Sequence, residues 1–95
     1  MPTFSVRVTA RCERLVKRLH KQHADFAAAY ERSIGILAAD PYNRLGSHAI
    51  KKLENVAAGE GAWRLRLGRW RFRYDIWDRE IELSYCGLRR EDTYR

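Results

Sequence analysis

The sequence predicts a small α+β domain: a strand, a helical hairpin and then an antiparallel three-strand meander, with the helices packed on one face of the sheet. Apolar residues alternate with a period of two over residues 3–8 and again from residue 63 onwards. Between these stretches, apolar residues recur at helical spacing in two successive segments. The 95 residues contain no linker, internal repeat or low-complexity segment, which predicts a single domain, 1–95.

The N-terminal half carries the first strand and both helices. The alternation in TFSVRV predicts a half-buried strand over residues 3–8. Thr9 is a favourable helix N-cap, so we expect a first helix over 10–23 and a second over 25–39, where an Asp-Pro pair stops it. Residues 41–61 have the composition of a loop, although the segment AIKKLENV within them suits either a helical turn or a short strand.

The C-terminal half contains a β-hairpin whose register follows from the sequence. WRLRL and WRFRYDIW both alternate, and Gly68-Arg69 between them offers a two-residue turn of type II′. A two-residue loop fixes the register, which predicts the pairs Leu67–Trp70, Arg66–Arg71, Leu65–Phe72, Arg64–Arg73 and Trp63–Tyr74. After a turn at Asp78-Arg79, the last strand is expected to continue the core alternation through Ile81, Leu83 and Tyr85.

This register separates two chemically different faces. The aromatic and aliphatic side chains of the hairpin share one face, while Arg64, Arg66, Arg71 and Arg73 form a two-by-two block on the other. Like charges opposite each other across strands repel, and no acidic residue lies between positions 63 and 74 to relieve them. We therefore expect a polyanionic ligand on this face. The alternative is the ordinary polar outer face of an antiparallel sheet.

The overall charge agrees with a polyanionic partner. Nineteen Lys and Arg residues against twelve Asp and Glu give a net charge of +7. Most of the basic residues are arginines, whose planar fork binds phosphate at two points and stacks on bases. This predicts a nucleic acid, or an acidic protein, as the partner.

Cysteines and apolar runs bear on the cellular location. Cys12 and Cys86 are too few for a disulfide framework and lack metal-ligand spacing. The first residues lack the apolar run of a secretory signal, and no stretch approaches the roughly 20 apolar residues of a membrane span. The sequence therefore predicts a cytoplasmic protein without membrane contact.

No cofactor or metal site is predicted. His20 and His23 are spaced as half of a metal site on a helix, but no third ligand is spaced to join them. The Gly-Glu-Gly segment at 59–61 lacks the Lys-Ser/Thr of a phosphate-binding loop. His48 lies in the loop and could assist proton transfer, but a lone loop histidine usually has no chemical role.

The combination WRLRLGRWRFRYDI, a further strand and LRREDTYR resembles the RelE/ParE superfamily of bacterial toxins. The DP…IKKLE segment before a glycine-containing turn adds to the resemblance, which covers nearly the whole chain. It implies an antiparallel sheet with helices on one face. RelE-type members are ribosome-dependent endoribonucleases that cut mRNA without metal, by attack of a 2′-hydroxyl on the neighbouring phosphate.

The resemblance also implies roles for individual residues. The implied catalytic residues are Arg66, Arg71, Arg90 and Tyr94. Arg64 matches a phosphate-holding basic residue of the family. We also expect Arg73, Arg89, Lys51 and Lys52 to bind RNA or phosphate. Tyr94 is the expected base or orienting group, while the arginines stabilise charge, because a guanidinium does not readily give up its proton.

The resemblance leaves more than one function open. An mRNA interferase would act on ribosome-bound mRNA and would be held inactive by an acidic antitoxin, with no cofactor. ParE-type members share the fold but inhibit DNA gyrase, and they tend to lack the Arg-plus-Tyr arrangement of the tail. Arg90 and Tyr94 therefore favour the nuclease over the gyrase inhibitor. A degenerate member that binds only its antitoxin is the third possibility.

Overall fold

The computed structural model describes residues 3–89, which form a mixed α+β structure of two helices and one five-stranded sheet. In chain order the elements are β1 (Ser5–Val8), α1 (Ala10–Gln22), α2 (Phe26–Ala39), β2 (Ala49–Lys52), β3 (Trp63–Leu67), β4 (Trp70–Trp77) and β5 (Glu80–Leu88). In this described part of the chain, neither helix has the length and apolar character needed to cross a membrane.

The two helices begin and end close to the expected positions. The Thr9 hydroxyl accepts a hydrogen bond from the Cys12 amide at 3.1 Å, which confirms Thr9 as the N-cap of α1. The Thr9 amide donates to Leu83 O of β5 at 3.0 Å, so the cap also joins the helix to the sheet. α2 ends at Ala39, and the Asp40 carboxylate then accepts two backbone amides of the following turn at 2.8 and 3.1 Å.

The strand order in the sheet is β1-β5-β4-β3-β2, with β1 parallel to β5 and the other neighbours antiparallel. All five cross-strand pairs predicted for the hairpin of β3 and β4 are confirmed. Gly68 has a φ of +60° while Arg69 is not left-handed, as a type II′ turn requires. The segment AIKKLENV contributes the edge strand β2, because its residues Ala49–Lys52 pair with β3.

Both helices pack on one face of the sheet, and the hydrophobic core lies between the two layers. The core residues are Cys12, Leu19, Phe26, Ile36, Leu37, Leu65, Trp70, Phe72, Tyr74, Ile81, Leu83 and Cys86. The Tyr74 hydroxyl donates to Pro41 O at 2.7 Å, and burial raises the Tyr74 pKa, so the phenol stays protonated. The helices thus cover the apolar face and leave the arginines on the opposite one.

A β-bulge in β5 changes which side chains face outwards. The register between β4 and β5 shifts between Arg73 and Tyr74, because Ser84 is an extra residue in β5. Beyond the bulge, Tyr85 pairs with Arg73, and Cys86 takes the core position. The prediction that Tyr85 continues the core alternation is therefore wrong. Its side chain lies on the outer face.

The loop between β2 and β3 is held against the outer face by Asp75. This aspartate is buried, and its two carboxylate oxygens accept the Gly61 and Ala62 amides at 2.8 and 3.1 Å. Gly61 has a φ of +74°, and a Cβ at this position would lie 3.1 Å from the Cβ of Arg73. Position 61 therefore requires glycine both for its backbone conformation and for space.

We expect Asp75→Asn to lower the free energy of unfolding by about 1–3 kcal/mol, because its amide nitrogen would face one of the two buried backbone donors. Asp78→Asn is the matched control, since Asp78 is exposed in the next turn at a φ of +56°, which asparagine tolerates. Urea denaturation of both variants tests this expectation. Equal stability of the two would contradict the anchoring role of Asp75.

Candidate nucleic-acid interface

The outward side chains of β3 and β4 form one surface, here called the arginine face: Arg64, Arg66, Arg71 and Arg73. Cβ atoms of cross-strand partners lie about 5 Å apart. Neighbours on one face of a strand are about 7 Å apart. Four permanent positive charges are thus carried by side chains rooted within roughly 9 Å of one another. Arg71 is the deepest of them, with 9% of its surface exposed.

The structure brings one of the two β2 lysines to this surface. Lys51 pairs with Arg64 and is exposed, so it extends the row of Arg64 and Arg73 by one strand. Lys52 pairs with Trp63 on the helix side, where its Nζ lies 5.9 Å from the centre of the Trp63 ring. Lys51 therefore adjoins the arginine face, whereas Lys52 lies on the other side of the sheet.

Arg73 is held by the loop that precedes β3. Its Nε donates to Gly61 O at 3.0 Å, and its Nη2 donates to Glu60 O at 3.2 Å. These carbonyl dipoles stabilise the guanidinium charge and offset part of its repulsion from Arg64 across the strands. Arg73 therefore has a structural role in addition to the predicted contact with phosphate.

Arg66 differs from Arg73 in its contacts. Within residues 3–89, no hydrogen bond, ion pair or ring contact joins its side chain to another residue. It pairs directly with Arg71, so two like charges meet on adjacent strands. Arg66 is therefore well placed to bind an anion without first breaking an existing contact.

The outer face is divided by charge along its strands. Away from the arginine face, Glu82 lies 3.2 Å from the Arg7 guanidinium and accepts the Trp77 indole N–H at 3.1 Å. Arg7 also lies 3.4 Å from Glu80, and Asp75 stands opposite Glu82 in the pairing of β4 with β5. A polyanion is therefore favoured only at the end that carries the arginine face.

The hairpin turn beside the arginine face is tied to the helical layer by Asp25. The Asp25 carboxylate accepts hydrogen bonds from Arg69 at 2.7 and 3.1 Å and from the Trp70 indole N–H at 3.0 Å. The bonds from Arg69, and then the bond from Trp70, lower the pKa of Asp25 to about 2. Arg69 is thus engaged with the helices and does not belong to the arginine face.

The C-terminal part of the predicted site lies mostly outside the described residues. Arg89 is exposed, and its amide donates to Arg69 O at 2.9 Å, which carries the pairing of β4 and β5 one step beyond Leu88. Arg90 and Tyr94, expected to complete the catalytic group, lie outside residues 3–89.

The rings of His20 and His23 are engaged in local packing. The His20 ring meets Phe26 edge-on at 5.2 Å, and the His23 ring meets Trp70 in the same way at 5.2 Å. The His48 amide donates to the Asn43 side chain at 3.1 Å. Among residues 3–89, no three His, Cys, Asp or Glu side chains are grouped so that they could hold a metal ion.

No family model matches this chain, and no match was found among curated proteins or solved structures. The chemistry of the arginine face is therefore the main guide to function. Arginine forks bind phosphate oxygens at two points and stabilise negative charge that develops on them. Guanidinium groups stay protonated and do not readily exchange protons, so acid–base chemistry would require another group.

Tyr85 is the candidate residue that the sequence reading missed. It stands at the end of the row formed by Lys51, Arg64 and Arg73. The sequence of the last strand contained a signal for this. Ile81 and Leu83 are two residues apart, as are Cys86 and Leu88, but Leu83 and Cys86 are three apart. A single extra residue within an alternating strand indicates a bulge, and the residues beyond it change faces.

We expect Asp25→Asn to destabilise the protein at neutral pH and to matter less as the pH falls. The folded-state pKa of about 2 lies below the ordinary value of 3.8. The contribution of the carboxylate is therefore fully present above the unfolded-state pKa and is lost as the pH falls through the folded-state pKa. Urea midpoints of wild type and variant, compared from neutral pH down to about pH 2, should converge. A constant difference would contradict this linkage.

Arg73→Ala and Arg66→Ala should differ in their effects on stability. The first removes two hydrogen bonds to loop carbonyls and should lower the free energy of unfolding by about 1–2 kcal/mol. The second relieves a like-charge pair and removes no contact within the described residues, so stability should be unchanged or slightly higher. Thermal denaturation at matched ionic strength compares them. An equal loss in both variants would show that Arg73 has no special anchoring role.

Proposed function

We propose that this protein is a toxin of a type II toxin–antitoxin system, a RelE-like, ribosome-dependent endoribonuclease that cleaves mRNA without metal. The observation that carries the proposal is the arginine face, four arginines in register on the side of the sheet opposite the helices, extended by Lys51. Such a block repels itself, and phosphates are the ligand that its charge and fork geometry suit.

The depth of Arg71 favours a binding site over a solvated polar surface. A side chain that serves only to keep the outer face polar gains most by extending its charge into water. Only 9% of the Arg71 surface is exposed. Its cross-strand neighbours are Arg66 of β3 and Gly87 of β5. A guanidinium withdrawn from water is suited to stabilising the charge of a ligand that reaches it.

The proposed reaction joins the 2′-oxygen of one nucleotide to the neighbouring phosphorus and breaks the bond from phosphorus to the 5′-oxygen. Negative charge on the phosphate oxygens grows in the transition state, where Arg66 and Arg71 would stabilise it. The 2′-hydroxyl must lose a proton and the 5′-oxygen must gain one. We assign this proton transfer, or the orientation that permits it, to Tyr94, with Arg90 adding positive charge.

The proposal places the protein in the cytoplasm and gives it two partners. The first is its substrate, mRNA on the ribosome. A small acidic antitoxin is the other partner, since its carboxylates would neutralise a chain of net charge +7. The antitoxin would hold the toxin inactive until it is released.

Expression of the chain alone should arrest growth, with protein synthesis failing before DNA synthesis in pulse labelling. The purified protein should cleave mRNA on programmed ribosomes. Early failure of DNA synthesis, together with inhibition of DNA gyrase in vitro, would instead identify a ParE-like gyrase inhibitor.

Substitutions in the same cleavage assay separate chemistry from binding. Arg71→Ala, Arg90→Ala and Tyr94→Phe should reduce cleavage by about 10²–10³ with little loss of ribosome association, because their interactions strengthen in the transition state. Arg64→Ala should mainly weaken association. Arg32→Ala, at an exposed arginine of α2, is the matched control and should retain both activities. Cleavage at the wild-type rate by Arg71→Ala and Tyr94→Phe would contradict the proposed site.

A further inference from the structure

The two cysteines of this chain are in contact within the hydrophobic core. Cys12 and Cys86 are separated by 74 residues in the sequence, yet their Sγ atoms lie 3.9 Å apart. Both side chains are buried, and both are free thiols. A buried cysteine can serve simply as a small apolar residue. Packing alone, however, does not require the chain's only two thiols to meet, whereas a chemical role for the pair does.

Two local features bring these thiols together. The Thr9 hydroxyl accepts the Cys12 amide at 3.1 Å and fixes that residue in the first turn of α1. The bulge in β5 turns Cys86 towards the core, whereas an unbroken alternation would place residue 86 on the outer face. The Thr9 amide also donates to Leu83 O at 3.0 Å. The two segments are therefore joined three residues before each cysteine.

The two thiols differ in acidity. The hydrogen bond with the Cys86 thiol lowers the pKa of Cys12, and the Arg11 guanidinium lowers it further, against the effect of burial. The same hydrogen bond, and then burial, raise the pKa of Cys86. Cys12 is also the third residue of α1, where the positive end of the helix dipole favours a thiolate. A thiolate beside a protonated thiol is the arrangement that forms a disulfide after oxidation.

We propose that Cys12 and Cys86 are a redox-sensitive pair, which hydrogen peroxide converts into an intramolecular disulfide that joins α1 to β5. The inference is independent of the proposed function, because it concerns the core and not the arginine face. A reversible crosslink of this kind suits a compartment in which structural disulfides do not persist.

The reaction proceeds in two steps. The Cys12 thiolate attacks one oxygen of the peroxide and the O–O bond breaks, so Cys12 becomes a sulfenic acid. The departing hydroxide takes up the proton that Cys12 had lost and leaves as water. Cys86 then loses its proton and attacks the Cys12 sulfur, the S–S bond forms, and the sulfenic oxygen leaves with that proton as a second water. The two thiols lose two electrons, which the peroxide accepts.

The disulfide requires a small movement, but the oxidant must first reach the sulfur. A disulfide bond is about 2 Å long, so the two sulfurs must approach each other from their separation of 3.9 Å. Both thiols are buried, and the oxidant therefore reaches them only when α1 opens locally from the sheet. Hydrogen peroxide, which is little larger than water, should consequently react faster than a bulky aromatic disulfide reagent.

The test exposes the purified, fully reduced full-length protein to hydrogen peroxide at low protein concentration and measures intact mass and thermal denaturation. Wild type should lose two hydrogen atoms without forming a dimer, and a dithiol reductant should restore them. The crosslink restricts the unfolded chain over a separation of 74 residues. The Tm of the oxidised protein should therefore rise by roughly 10–20 °C.

Alanine variants assign the two roles. Cys86→Ala leaves Cys12 without a resolving thiol, so peroxide should produce a sulfenic acid that a cyclic diketone reagent traps. Cys12→Ala should give no trapped product under the same exposure, because burial keeps Cys86 protonated. The Cys12→Ala/Cys86→Ala double variant is the matched control for oxidation elsewhere in the chain, and its Tm should not rise.

Four results would overturn the inference: no oxidation of either cysteine in native wild type, oxidation that ends at sulfinic acid, a disulfide between two chains, or a sulfenic acid trapped at Cys86 rather than at Cys12. The first three are measured on wild type alone, so they do not depend on the folding of the variants. Failure to cleave mRNA on programmed ribosomes would count against the proposed function and would leave this inference standing.

Discussion

The two-residue turn at Gly68-Arg69 fixes the register of β3 and β4, and most of the architecture depends on it. Side chains alternate along a strand, so this one register places the apolar residues of the hairpin under the helices and its arginines on the opposite face. Asp25 supports the turn from the helical layer through its hydrogen bonds to Arg69 and Trp70. The core and the arginine face are therefore two consequences of one constraint.

A concentrated block of like charge also needs local stabilisation. Carbonyl oxygens of the preceding loop accept hydrogen bonds from Arg73, and Asp75 fixes that loop through its last two amides. The buried Asp75 carboxylate thus supports Arg73 indirectly, through the loop whose carbonyl oxygens accept its hydrogen bonds. This arrangement holds the Arg73 side chain in place on the outer face.

The bulge in β5 is a small irregularity, but it changes which residues of β5 lie on the outer face. One extra residue, Ser84, moves Tyr85 from the core side to the side of the arginines. Gly87 then leaves room for the ring, and Arg11 reaches it from α1. Residues from a strand, a bulge and a helix terminus therefore meet at one edge of the arginine face, where cations and an aromatic ring lie together.

The sequence by itself determined the two helices, the Thr9 cap, the hairpin register and the arginine face. Each of these depends on residues close together in the chain, through alternation, a tight turn or a cap. Tertiary structure decided the rest: the strand character of 49–52, the anchoring of Arg73, and the side of the sheet taken by Lys52 and Tyr85. These depend on pairing between distant segments. A segment becomes a strand only where a partner edge is available, and one extra residue reverses every side chain beyond it.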